Sequence, residues 1–393
     1  MSVYLDHNAT TRLRPEARAR WLEVQDGAAG NPSSLHAGGR HARAVIDEAR
    51  ERIAAALGVE EDAIVFTSGG TEANNLALFG VTSGVGRPPS AAGVVTTAVE
   101  HSAVLEPARE LQRRGHPLTV VGVDARGLPD ADAVLDAVDD ECAIVSVHAA
   151  NNELGSCPDL ARIGPALRTR RARGGAPWFH TDAVQALGRI PLDLDAWGVD
   201  LASFSAHKVG GPVGVGVLVR RQGAPLRPLL YGGGQEAGLR PGTEDAAGIA
   251  AAAVAIDLAV REQAETARHT HALCALLWNE LRRLRPDVRS LGPPLDDAAR
   301  LPNTLCVTIP GVDGRVLVTR LDLAGLRVSA GSACASGSLQ ASHVLRAIGL
   351  DDSRARSGLR LSVGGNTTAE ECKRAAEILC ATTGPSHTSQ GNA

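Results

Sequence analysis

Short apolar segments alternate with helix-patterned ones through the first half of this chain, and that alternation narrows the possible folds more than any single motif does. The apolar segments are "AIVFTSGG" (63–70), "GVVTTAV" (93–99), "LTVVGVD" (118–124), "CAIVSVH" (142–148), "WFHTDAV" (178–184) and "DLASFSAH" (200–207). Between them lie stretches such as "VLEPARELQRRG", and ahead of them "RHARAVIDEARERIAAALG", where Val45, Ile46, Ala49, Ile53 and Leu57 recur at helical spacing until Gly58. Strands alternating with helices predict an α/β fold whose mostly parallel sheet is covered on both faces. Residues 245–286 read as an alanine-rich helical region leading out of this unit, and "GPPLDDAARLPN" (292–303) as a surface segment rich in breakers. After it, "TLCVTI", "GRVLVTRLDLAG", "LRVSAG", "HVLRAIG", "GLRLSVG" and "TTAEECKRAAEIL" predict a smaller α+β unit, with Thr368 and Glu371 as a capping box. The expected division is a large domain over 15–255, a small domain built from 1–14 and 256–381, and a disordered polar tail over 382–393.

A chain of 393 residues, 44% hydrophobic, can bury a large core in two such domains. A net charge of −4 without long single-sign runs leaves no electrostatic footprint for nucleic acid; the basic cluster "RTRRARGG" (168–175) reads as a solvated loop. No apolar run is long enough to span a membrane, and "MSVYLDHNATT" has no leader pattern, so a cytoplasmic protein is expected. The seven cysteines include no C-x-x-C pair, which argues against a disulfide framework or a thiolate zinc site, and no metal is expected. Cys142, Cys306 and Cys380 sit in apolar patterns and read as core. Cys334, in "SAGSACASGS" (329–338), has only small neighbours and no apolar periodicity.

Lysine usage is more telling. Of forty Lys plus Arg residues only Lys208 and Lys373 are lysine, so a retained lysine asks for chemistry that arginine lacks, such as imine formation. Lys373 lies on a charged helical surface; Lys208 lies in "SFSAHKVGGPVG", between an apolar strand and a glycine-rich turn. Two glycines and Thr71 stand between a strand and a helix start in "VFTSGGTEANN", where free N–H groups and the helix dipole can face an anion. Asp182 ends a strand, the usual place for ligand contacts in an α/β sheet, although alone it reads equally as a cap. An anion site, a strand-end carboxylate and a strand-end lysine are together what pyridoxal 5'-phosphate requires.

Ten motifs, in order, now point to a family. "YLDHNATT", "NPSSLH", "FTSGGTEANN", "EHSAVL", "HAANNELG", "HTDAVQ", "SFSAHKVGGPVGVG", "GGGQEAGLRPGTED", "SAGSACASGS" and "LRLSVG" make residues 3–381 resemble the cysteine desulfurases of the class V aminotransferase type. The resemblance implies a fold type I pyridoxal-phosphate transferase that converts L-cysteine to L-alanine. It assigns Lys208 to the cofactor aldehyde, Asp182 to the ring nitrogen, and His101 to ring stacking and acid–base steps. Gly70, Thr71, Ser205 and His207 match phosphate-binding positions, and Thr243 one that reaches the cofactor of a second subunit in a homodimer. Asn152 and Gln185 match residues near the ring oxygen, with Asn152 and Arg360 toward the substrate. Cys334 matches the nucleophile that carries sulfur as a persulfide to an acceptor protein, for iron–sulfur assembly or thiolation. Its Ser- and Ala-rich segment resembles the longer, housekeeping type of cysteine loop and is expected to be mobile. Taken alone, His101 reads as a structural histidine and Arg360 as an ion-pair arginine. Ala237 and Pro241 depart from the family pattern. Rival readings are a selenocysteine lyase, a class V epimerase or lyase, and a non-catalytic scaffold.

Overall fold

The computed structural model describes residues 2–27, 29–172, 177–330 and 341–384; the expectations that fall on Cys334 and on the tail beyond residue 384 lie outside them. The chain starts with β1 (Val3–Tyr4), α1 (Pro15–Asp26) and α2 (Ala37–Leu57). Gly58, in the left-handed region at φ 65°, ends α2, and its N–H and that of Val59 return to the Ala55 and Ala54 carbonyls. There follow β2 (Ile64–Thr67), α3 (Gly70–Gly84), β3 (Gly93–Thr97), α4 (Ser102–Arg113), β4 (Leu118–Val121), α5 (Ala131–Asp136), β5 (Cys142–Ser146) and α6 (Leu160–Ala172). Next come β6 (Trp178–Asp182), β7 (Leu201–Ser205) and β8 (Gly216–Arg220). These seven strands form one sheet in the order β2-β8-β7-β6-β5-β3-β4, in which β8 alone runs against its neighbours. β2, β3, β5 and β7 are buried along their whole length, as a sheet covered on both faces requires.

Helices α7 (Ala246–Arg261) and α8 (Gln263–Leu284) lead to β9 (Arg289–Leu291), β10 (Thr304–Thr308), α9 (Gly314–Leu323), β11 (Leu326–Arg327) and β12 (Ser329–Ala330). The chain closes with α10 (His343–Ala347), α11 (Asp352–Arg356), β13 (Gly358–Ser362) and α12 (Ala369–Thr383). A second, antiparallel sheet has the order β12-β13-β10-β9, and β1 pairs with β11. Its core joins Leu273 and Leu277 of α8 to Leu305, Leu361 and Leu379. Thr368 and Glu371 form the expected capping box at the start of α12.

Three expectations need correction. The boundary expected at 255/256 falls inside α7, whose Ile256 and Ala259 belong to the core of the large sheet. The last helix reaches Thr383, two residues into the expected tail. The basic cluster is also not a solvated loop up to Ala172, because α6 contains Arg168, Arg170 and Arg171. Arg171 stacks 4.2 Å from the Trp178 ring and forks onto the buried Asp200 carboxylate, with one bond of 2.6 Å; that carboxylate also accepts from the Phe179 N–H. Arg171→Ala leaves Asp200 buried without its cation, and a loss of about 3 kcal/mol is expected in urea unfolding. A loss under about 1 kcal/mol would mean that the pair behaves as a surface bridge.

Ala237 adopts φ 55° beside Glu236 at φ 47°, a left-handed pair that side-chain-bearing residues rarely adopt. The Glu236 carboxylate holds this turn by accepting from Arg50 at 2.6 Å and from the Phe66 N–H at 2.7 Å. Among the described residues, no helix is long and apolar enough to cross a membrane. Four of the six described cysteines are buried, and burial raises Cys142, Cys274 and Cys306 to about 12, so these thiols stay protonated and inert.

Candidate active site

The carboxyl ends of the parallel strands open onto one cavity. β2 runs through Ser68 and Gly69 into α3, so the first N–H groups of that helix face the opening. The turn can lie this close to the sheet because Gly216 has no side chain; a Cβ there would sit 2.4 Å from the Gly69 backbone. β6 delivers Asp182, β7 delivers Ser205, and the turn after β7 carries His207 and Lys208. Together they line a cavity of about 280 Å³ with Gly70, Thr71, His101, Asn152, Gln185 and Arg360. Ten of the twelve residues expected at the site therefore meet in one place. Thr243 is exposed and lies outside this cavity, and Cys334 lies outside the described residues.

Each group is held by its own contacts. Asp182 accepts from Asn74 Nδ2 at 2.7 Å and from the Val184 N–H at 3.0 Å. Lys208 Nζ donates to the Asn8 and Ala9 carbonyls at 2.8 and 2.7 Å. His101 caps α4 by accepting from the Ala103 N–H at 3.1 Å, so its structural reading holds alongside its place in the cavity wall. Gln185 is committed on both sides, donating to Asn8 O and accepting from the buried Arg189. Arg360 is 1% exposed; one Nη donates to Asp6 at 2.8 Å, the other to Asn152 O at 3.0 Å, and its buried Nε has no partner among the described residues. The carboxylate of Asp6 also accepts from Ser329 Oγ on β12, which pairs with Arg360 across the strands.

Three histidines in or near the site are neutral near pH 7. Burial first, then the neighbouring cations Lys208 and Arg189, push His207 down to about 4. Burial pushes His180 and His7 down to about 4 as well, with Arg189 adding to the effect on His7. In the unfolded chain these imidazoles titrate near 6.5, so between about 6.5 and 4 the unfolded state binds the extra protons. Folding stability is therefore complete above pH 6.5 and falls as the pH drops toward 4. The expected slope is up to about 1.4 kcal/mol per pH unit for each of His7 and His180. Urea midpoints at pH 7 and pH 5 check this, and equal midpoints would contradict it.

Several lining residues carried no role in the sequence reading: Asn8, Ala9, Asn74, His148 and Asn151. Asn8 and Ala9 belong to "YLDHNATT", and Asn74 lies one helical turn after Thr71, a spacing that could have revealed it. A larger cleft of about 730 Å³ lies beside the N-terminal segment and α8. It mixes Arg12 and Arg14 with Glu262 and Glu265 and shares only Lys208 with the expected site.

The family described as aminotransferase class V matches residues 3–374. The chain belongs to the class V aminotransferase family. Among class V relatives, "Cysteine desulfurase IscS" of Dictyoglomus turgidum is 40% identical over 377 residues, 96% of this chain and 93% of that protein. "Putative cysteine desulfurase IscS 1" of Bacillus subtilis is 39% identical, covering 95% of this chain and 97% of its own length. Of solved structures, a "NifS-like protein" superposes with a TM-score of 0.89 at 36% identity, over 98% of this chain and 99% of that one. The fold is that of the fold type I pyridoxal-phosphate transferases. The residues present fit the cofactor of class V enzymes. An anion-binding helix start, a carboxylate and a lysine converge on one cavity, and buried Asn74 Oδ1 and His148 Nε2 have no partner among the described residues. A Cβ on Gly70 would meet Val184 at 2.8 Å, so that wall depends on the missing side chain.

Proposed function

We propose that this chain is a pyridoxal-phosphate-dependent cysteine desulfurase that converts L-cysteine to L-alanine and passes the sulfur on as a persulfide. The observation that carries the reading is the convergence of Lys208, Asp182 and the α3 N-terminus on one cavity with Arg360 in its wall. The names of the relatives support the same activity.

Gly70 and Thr71 N–H groups, Ser205 and the neutral His207 would hold the phosphate by hydrogen bonds. Asp182 would hold the ring nitrogen and Lys208 the aldehyde carbon. When bound, pyridoxal phosphate supplies an electrophilic aldehyde and a ring that takes up the electron pair released at the substrate α-carbon. Arg360 would orient the substrate carboxylate, with its Nε and the N–H groups not given to Asp6 and Asn152. Lys208 and His101 would move protons at the α-carbon. The Cys334 thiolate takes the substrate sulfur: an S–S bond forms, the C–S bond breaks, and the carbon gains a proton to leave as alanine. A homodimer sharing Thr243 between subunits, an acceptor protein serving iron–sulfur assembly or thiolation, and a reducing cytoplasm that suits the free thiols complete the reading.

The test incubates the cofactor-loaded protein with L-cysteine, quantifies alanine and examines the Cys334 peptide by mass spectrometry. Alanine with a persulfide on that peptide is the expected result. Alanine released from selenocysteine but not from cysteine would replace the reading with a selenocysteine lyase.

A further inference from the structure

The floor of the cavity contains a charge pair that none of the roles above uses. Glu100 is fully buried, and its Oε1 accepts from Thr97 Oγ1 at 2.7 Å and from the His148 backbone N–H at 2.9 Å. The same oxygen stands 3.0 Å from His148 Nδ1, and the two side chains are 0% and 3% exposed. Burial opposes both charges, but their mutual attraction outweighs it: His148 is raised, with Asp182 adding to the effect, and Glu100 is lowered. The pair is thus a fixed dipole. Its imidazolium end lies in the cavity lining beside Asp182, and its carboxylate lies behind. His148 Nε2 is buried with no partner among the described residues, and a buried cationic N–H in that state is costly unless the cavity supplies something for it to act on.

We propose that His148, backed by Glu100, is a positioning residue that sets the electrostatic potential at the Asp182 end of the cavity. The proposal rests on the cofactor reading above. A lone buried Asp182 draws protons strongly to whatever binds against it; a cation at its side moderates that pull, and Glu100 keeps the cation charged. Asp182, His148 and Glu100 together carry one net negative charge, which a protonated ring nitrogen would cancel. The other ionisable groups facing this array are His180 on β6, His343 on α10, whose Nε2 lies 2.9 Å from Glu100 O, and His101, Lys208 and Arg360 in the cavity wall.

The test is a pH titration of the visible absorption of the cofactor-loaded protein, with thermal unfolding run in parallel. The Glu100→Gln, His148→Gln double variant removes both charges at nearly constant size. Glu100→Gln alone removes the carboxylate that keeps the buried imidazole charged. Losing the positive end leaves Asp182 unopposed and favours protonated forms of the bound cofactor, so in both variants the titration midpoint should rise by about 0.5–1 pH unit. A merely structural pair would change the unfolding temperature and leave that midpoint where it is. An unmoved midpoint in either folded, loaded variant overturns the proposal. A wild-type chain that takes up no pyridoxal phosphate would overturn the functional reading itself, and this proposal with it.

Discussion

Cys334→Ser should bind pyridoxal phosphate with the wild-type visible absorption while sulfur transfer falls by on the order of 10³-fold or more. On the proposed reading, Lys208, Asp182, Ser205 and the α3 N-terminus would hold the cofactor, and none of these changes. A serine hydroxyl is a far weaker nucleophile than a thiolate at neutral pH and cannot store sulfur as a persulfide. The six described cysteines give no substitute, since burial raises all of them and removes their thiolates. Alanine release and persulfide mapping on the same sample check this, and normal sulfur delivery by the variant would remove Cys334 from the mechanism.

Lys208→Arg should have the opposite profile. The cation remains next to the carbonyls of Asn8 and Ala9, so the charge balance of the site is kept. A guanidinium cannot make the covalent link to an aldehyde. Pyridoxal phosphate should then be lost on dialysis, and alanine release should fall by about 10³-fold or more. Retention of the cofactor at wild-type stoichiometry through dialysis would place the attachment elsewhere.

The parts of the site that were legible in the sequence are those that local pattern places. Asp182 and Ser205 close apolar strands, Lys208 follows one, and Gly70–Thr71 opens a helix; strand and helix ends in an α/β sheet converge by geometry. Contributions from distant chain were not legible. Asn8 and Ala9 reach Lys208 across some two hundred positions of sequence, and nothing local in "YLDHNATT" says where that segment lies. His148 read as the last residue of an apolar strand, because its partner Glu100 comes from another strand end. The misread basic cluster has the same cause: counting arginines could not show that Asp200 and the Trp178 ring were waiting for Arg171. The boundary drawn at 255/256 cut α7 because the alanine run ends at Ala255, while the helix and its packing continue through Ile256 and Ala259.

The pairing of Ser329 with Arg360 has a consequence for the wall of the cavity. Asp6 ties both residues together, and on the far side Ser342 is fastened to Glu153, next to Asn152, by a 2.6 Å bond. One carboxylate therefore sets the place of both the arginine and the end of β12, although Asp6 is not itself part of the cavity lining. Replacing Asp6 would loosen two parts of the wall at once without touching a single lining residue.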